Sequence, residues 1–490
     1  MKIVIVGAGL AGLTAAYTLL KQGRAAGTPF EITLLESDTA AGGQARAFPI
    51  QPKGPDGREL TGEGPFVVEH GSHVFFQFYD TIIKLIDELR ADPALAADMP
   101  ALAPVPGWTI VDAYGNVATM TQGPVLPVPF NVFPSMLDIS WLPLLDRLRV
   151  GVGALSVLNH TYDDMGKLDQ MTSKDLAIAS GYTELGAVAW NSASLGLTNL
   201  FIQEQSGALF WAKHKVLIDY PNGLHYQLPA GDLGKLVAEP MRKKIQGWGG
   251  TLVLSATVTG ISRPEGQAQT EVTYTLPDGG ARTIACDQVI LAVAPSAAAP
   301  LVQWVHEPWT QLSKVTPVLT VVVRLSGELQ KGPSDDREYG LSREQWVFSV
   351  VTDLSKFWPE YEGMGKTVLR FEIGHADLLP QGFDTPESVV INMIHNDLGR
   401  LFPEVVDRGL TIEAYAIHPE NERLYTAWKK GEWSKKPTER DVGQGVYLAG
   451  DWTTKGTIGM EAAVNSGVEA ANFVLERVHM PPVPFRDIPL

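Results

Sequence analysis

Residues 1–43 constrain the fold more than any other stretch, because they set out a strand, a glycine turn, a helix, a second strand and a second glycine turn in unbroken order. Lys2-Ile3-Val4-Ile5-Val6 is a short β-branched run of the kind that fills a buried parallel strand, and it leads straight into Gly7-Ala8-Gly9-Leu10-Ala11-Gly12. Gly7 permits the tight bend, Gly9 lets backbone approach a pyrophosphate, and Gly12 lets the next helix lie close to the strand, with Ala11 beside them in the same loop. The helix is expected from Leu10 to about Gln22, with Leu13, Ala16, Tyr17 and Leu20 on one face and Gly23 as its stop. The strand Glu31 to Leu35 then delivers Glu36 about where a carboxylate must stand, roughly 20 residues on, to accept hydrogen bonds from an adenosine ribose. Together these features imply a dinucleotide whose phosphates sit on the helix N-terminus.

The chain has 490 residues, 45% of them hydrophobic, enough for two domains or one large two-lobed fold. With 39 basic against 55 acidic residues its net charge is −16, which argues against a nucleic-acid partner and against electrostatic docking on anionic lipid. Cys286 is the one cysteine, so an intramolecular disulfide and a cysteine metal cluster are both excluded. The first strand starts at Lys2 with no secretory signal ahead of it, and a cytoplasmic location is expected. The long uncharged interval from Ala113 to Leu137 is broken by glycines and prolines such as Gly123, Pro127 and Pro134, so no transmembrane helix is expected.

Gly42-Gly43-Gln44-Ala45-Arg46 resembles the second glycine motif of the flavoprotein family that includes amine oxidases and phytoene desaturases. The resemblance implies FAD rather than NAD, with Gly42, Gly43, Gln44 and Arg46 at the cofactor. A second informative run, Glu69-His70-Gly71-Ser72-His73-Val74-Phe75-Phe76 with Tyr79 beyond it, resembles the plant and cyanobacterial type of carotene desaturase, especially ζ-carotene desaturase. That likeness implies that Gly71 and His73 lie near the flavin ring. From its residue type alone His73 stands equally well as a hydrogen-bonded core histidine. Glu69, His70 and His73 match no compact zinc spacing, so no metal is expected.

Trp108 to Met120 alternates as a hairpin does, and Val125 to Pro134 followed by a helix from Leu144 to Leu158 forms the least charged part of the chain. This part resembles the corresponding segment of phytoene desaturases. Two readings stand open for it: the buried core of a helical subdomain, or a surface lying on a membrane with Trp141, Leu142, Leu144 and Leu145 as anchors. Farther on, Thr251 to Ile261 and Asp287 to Pro295 resemble the family's return to its first domain, which implies adenine contact by the Val258 backbone and a strand from Val289 ended by Pro295. Pro317 to Leu325, Gln345 to Val351 and Thr367 to Ile373 alternate as strands of a second sheet, with a helix from Pro386 to Leu401 over it. The aromatics there, Phe348, Trp358, Phe371 and Tyr415 among them, suit a core more than a tunnel.

Gly445 to Thr453 reads as a strand ending on a carboxylate, followed by a turn and a helix from Met460 to Val478. It resembles the family's last FAD motif, which implies that Gly450 and Asp451 hold the cofactor and that the Met460 amide, at a helix N-terminus, faces the flavin pyrimidine. Trp452 either faces the flavin or only packs.

The fold expected is α/β: a Rossmann-like FAD-binding domain with an inserted mixed substrate domain, an antiparallel sheet plus a helical subdomain. The FAD-binding parts are 1–100, 223–298 and 435–490, the helical subdomain 101–222 and the substrate sheet 299–434. The activity implied is FAD-dependent desaturation of a polyisoprenoid such as a carotene, a hydrophobic small molecule, with hydride transfer to flavin N5 and reoxidation by a quinone or oxygen. His73 and Lys455 are candidates for a base if one is needed. The rivals are a flavin amine oxidase, whose usual acid near the last motif is replaced here by Gly450-Asp451-Trp452, a redox-neutral polyene isomerase, and a flavin-stabilised binding protein.

Overall fold

The strand Lys2–Val6 occupies the middle of a five-stranded parallel sheet, in the order 251–253, 31–35, 2–6, 288–291, 446–448. In this computed structural model the described residues are 1–105, 107–121, 126–220, 223–312, 317–330, 337–341, 345–418, 422–423, 428–454, 456 and 459–485. Successive side chains of a strand point to opposite faces, and here both faces are covered. Ile3 and Ile5 enter the core that holds the helices Leu10–Ala26 and Gly459–Arg477, whereas Val4 and Val6 enter a second core beneath the antiparallel strands 257–262, 270–275 and 281–286.

The first helix ends one turn beyond its expected stop. It runs from Leu10 to Ala26, and Gly27, left-handed at φ 66°, is its cap. Gly23 is small for a different reason: a Cβ there would stand 2.6 Å from the Thr28 carbonyl and 2.7 Å from the Phe30 ring. Likewise, the strand Gln288–Leu291 stops before Pro295, which opens the short helix Pro295–Ala298.

The second lobe is built on an eight-stranded sheet, ordered 412–417, 317–325, 368–374, 350–353, 338–341, 107–111, 117–121, with 422–423 also paired to 317–325. The hairpin 107–121 thus joins this sheet through a parallel pairing of Gly107–Val111 with Glu338–Leu341. The helix Glu387–Leu401 covers one face with Val390, Ile391, Ile394 and Leu398, and Phe348, Phe371 and Tyr415 pack in the same core. The expected strand from Gln345 is shorter and later, Val350–Asp353.

A layer of helices, including Leu144–Leu155, Ser173–Ala179, Glu184–Thr198 and Gly207–Asp219, flanks this sheet. Leu144–Leu155 buries Val150, Gly151, Gly153 and Ala154 but leaves Leu144, Leu145, Leu148 and Val152 exposed. Among the described residues no helix is long and apolar enough to cross a membrane.

Candidate functional site

The carboxyl ends of the central parallel strands open onto a cavity of about 520 Å³, the place where α/β sheets take their ligands. Backbone geometry there needs glycine. Gly7 has φ 96°, and a Cβ on it would stand 2.4 Å from the Ala292 carbonyl; a Cβ on Gly12 would stand 2.0 Å from the Gly7 carbonyl. Gly9 and Gly43 face each other, so that a Cβ on Gly43 would stand 3.1 Å from Gly9 Cα, and the Gly42 amide donates to the Ala8 carbonyl at 2.8 Å. The two glycine turns therefore form one wall.

Glu36 is buried at the end of its strand and accepts from the Ala8 amide at 2.7 Å and the Asp38 amide at 2.9 Å. Its carboxylate lines the cavity together with Gly7, Gly9, Ala11, Gly42, Gly43 and Gln44. Val258 lines it beside Ala256 and Leu301, on the same side as Glu36. Gly12 acts through close packing and does not face the cavity. The Arg46 guanidinium pairs with Asp38 at 2.9 Å and covers the Phe48 ring, and Arg46 is not among the lining residues.

At the other end stand Gly71, His73, Tyr79, Gly450, Asp451, Trp452 and Met460. Met460 lies at the start of the helix Gly459–Arg477, which presses so closely on the first helix that a Cβ at Gly467 would stand 2.4 Å from the Ala11 carbonyl. Burial pushes the Asp451 carboxyl up to about 6, with Lys436 opposing that rise. Trp452 lines the cavity, its Nε1 donates to the Val293 carbonyl at 3.0 Å and its ring lies 5.1 Å from that of Trp309. Lys455 lies outside the described residues. His73 places Nδ1 3.7 Å from Glu69, and Glu69 in turn accepts from the Leu233 amide at 2.9 Å and from Arg370 at 2.6 Å. Among the described residues no group of three or more His, Cys, Asp or Glu side chains is arranged to hold a metal ion.

Three further groups at this end escaped the motif reading: Glu338, Arg370 and Glu372. Arg370 and Glu372 alternate with Leu369, Phe371 and Ile373 along Val368–Gly374, a strand buried at every position. Two charges on one face of a fully buried strand are a signal that the sequence does carry, since burying them without partners costs several kcal/mol. Ser72 links them, its amide donating to Glu372 and its hydroxyl to Glu338, while Arg370 donates to the Ser72 oxygen at 3.0 Å.

The chain's residues fit FAD. The first helix has no side-chain cap and no acid in its first turn, so its amides are left to an anion, and the touching glycine turns leave a side-chain-free cradle beside them.

Comparison with known proteins agrees. A family model for flavin containing amine oxidoreductases matches residues 10–475. The chain is 25% identical to a probable zeta-carotene desaturase of Synechococcus elongatus, over 97% of this chain and 99% of that one. It is 23% identical to the 15-cis-phytoene desaturase of Narcissus pseudonarcissus, over 97% of this chain and 80% of that one. Cyclohexylamine oxidase from Brevibacterium oxydans shares the fold, with a TM-score of 0.63 at 18% identity over 97% of this chain and 99% of that one. The chain belongs to the flavin containing amine oxidoreductase family and is an FAD-dependent oxidoreductase.

Proposed function

We propose that the protein dehydrogenates a polyisoprenoid such as a carotene, turning a C–C single bond into a C=C bond. The observation that carries this reading is the likeness to zeta-carotene and phytoene desaturases along nearly the whole chain. FAD, when bound, supplies the hydride acceptor at N5. In this reading Glu36 takes the ribose hydroxyls, Gly7, Gly9, Gly42 and Gly43 admit the pyrophosphate, and Val258 lies on the adenine. Gly450, Asp451 and Met460 hold the flavin end, where the amides of a helix N-terminus favour negative charge.

A hydrocarbon substrate must reach the cavity from lipid. The exposed Phe130, Leu144, Leu145 and Val152 offer an apolar face, and a net charge of −16 leaves apolar insertion rather than headgroup charge as the means of attachment. The reading therefore includes a protein lying on a membrane, with a quinone or oxygen as the final electron acceptor.

Anaerobic mixing of the holoprotein with a carotene in detergent is expected to bleach the oxidised flavin band. A second reading, amine oxidation, has the description of the matched family in its favour. Bleaching by amines and none by carotenes would establish it instead, and product formed without consumption of an acceptor would establish an isomerase.

A further inference from the structure

Glu372 is buried, yet it lines the cavity beside His73 and Asn199. It stands against the loop that carries Gly71: a Cβ on Gly71 would sit 3.2 Å from the Glu372 carboxyl carbon. A methyl group there would press on the acid, which would have to give by a few tenths of an ångström.

The surrounding charges do not balance. Glu69, Glu338 and Glu372 bring three carboxyl groups into one buried cluster, and Arg370 brings one guanidinium. Burial in a low-dielectric site disfavours three carboxylates there even with Arg370 and His73 close by, so one of them holds its proton more tightly than a free carboxyl. Hydrogen bonds decide which. Glu69 accepts from Arg370 and from the Leu233 amide, and is held below the usual carboxylate range against its burial by His73 and Arg370. Glu338 accepts from the Ser72 and Thr352 hydroxyls, with Tyr226 as a further partner. The Glu372 carboxyl accepts only the Ser72 amide among the described residues, and Glu372 is the acid of the three that lines the cavity.

We propose that Glu372 is the proton acceptor of the reaction, taking up the proton that the substrate loses when its double bond forms. This rests on the desaturase reading above. One substrate C–H bond gives up its hydride to the oxidant already named; the C–H bond on the neighbouring carbon then breaks, its electron pair becomes the C=C bond, and its proton goes to a Glu372 oxygen. His73 lines the cavity beside Glu372, with its Nδ1 3.7 Å from Glu69.

Burial first, and then the charge of Glu338, push the Glu372 carboxyl up to about 7, while Arg370, the Ser72 amide and His73 act the other way. The acceptor form thus appears as pH rises through about 7. The rate of anaerobic flavin bleaching by a carotene should rise through the same range and then level.

The test uses the full-length holoprotein, wild type, Glu372→Gln and Glu338→Gln, with two readouts. Without substrate, infrared difference spectra across neutral pH should show a protonated-carboxyl band in wild type, no such band in Glu372→Gln, and the band lost at a lower pH in Glu338→Gln, where a neighbouring negative charge is gone. With a carotene, Glu372→Gln should bleach about 100-fold or more slowly, the usual worth of a general base, with no inflection near neutrality. A band unchanged in Glu372→Gln, or bleaching at the wild-type rate and pH profile, overturns the assignment. If Glu372→Gln loses its flavin, Glu338→Gln decides alone: an inflection moved to lower pH supports the assignment and an unmoved one overturns it. Wild-type protein that no carotene bleaches counts against the desaturase reading, a failure separate from an unchanged infrared band.

Discussion

The Glu36 carboxylate accepts the amide of Ala8 at 2.7 Å, so the acid that closes the second strand also fixes the first glycine turn. One side chain thus links the end of the second strand to the wall formed by the glycine turns. Replacement by alanine removes a charged acceptor from the Ala8 and Asp38 amides, a loss of about 1.5–3 kcal/mol for hydrogen bonds to a charged group. Glu36→Ala is therefore expected to bind FAD roughly 10-fold to 100-fold more weakly. Titration of the apoprotein with FAD, with flavin-to-protein ratio after gel filtration, checks this; full flavin retention would exclude a cofactor role for Glu36.

Gly467 sits where the last helix crosses the first, with a hypothetical Cβ 2.4 Å from the Ala11 carbonyl. Backbone cannot yield there as a flexible side chain would. Gly467→Val should destabilise the protein by about 1–3 kcal/mol, as overpacking does, and lower flavin content with it because both helices border the cavity. Thermal melting with and without added FAD reads both effects, and a variant melting like wild type with full flavin would show that the helices can separate without cost.

The opening unit was legible because its signals are local: a β-branched run, glycines at fixed offsets and an acid at the next strand end all fall within residues 2–36. Gly23 misled because small size and left-handed backbone both favour glycine, and only the contact with Phe30 separates them. The hairpin 107–121 could be read as alternation, but its parallel partner Glu338–Leu341 lies more than two hundred residues on, beyond any local pattern. Glu69 and His73 belonged to a recognisable run, whereas Glu338, Arg370 and Glu372 form a site only when two separate strands of one sheet bring them to the Ser72 loop.

Leu144 and Leu145 are 64% and 62% exposed at the start of a helix whose other face is buried. If that face lies in lipid, Leu144→Glu with Leu145→Glu puts two charges into the acyl boundary and removes two apolar anchors. Flotation with uncharged phosphatidylcholine vesicles should drop by about 10-fold or more, while flavin content stays as in wild type because neither residue lines the cavity. Equal flotation of variant and wild type would remove this helix from the membrane face.

Lys213 is buried in the helix Gly207–Asp219, donating to the Ser194 hydroxyl at 3.1 Å, and its burial pulls the amine down to about 7. A lysine that holds its proton less tightly when folded than when unfolded makes the folded state bind fewer protons. Its cost to stability is therefore present at low pH and fades as pH rises from about 7 toward the ordinary lysine value of about 10.4. Lys213→Met keeps the length of the side chain and removes the titration. Its Tm should exceed that of wild type by the most near pH 6, and the difference should narrow steadily toward about pH 10. Melting curves of the two holoproteins across that range check it; a difference that stays constant with pH would mean that Lys213 remains charged in the fold, held by Ser194 and Gln205.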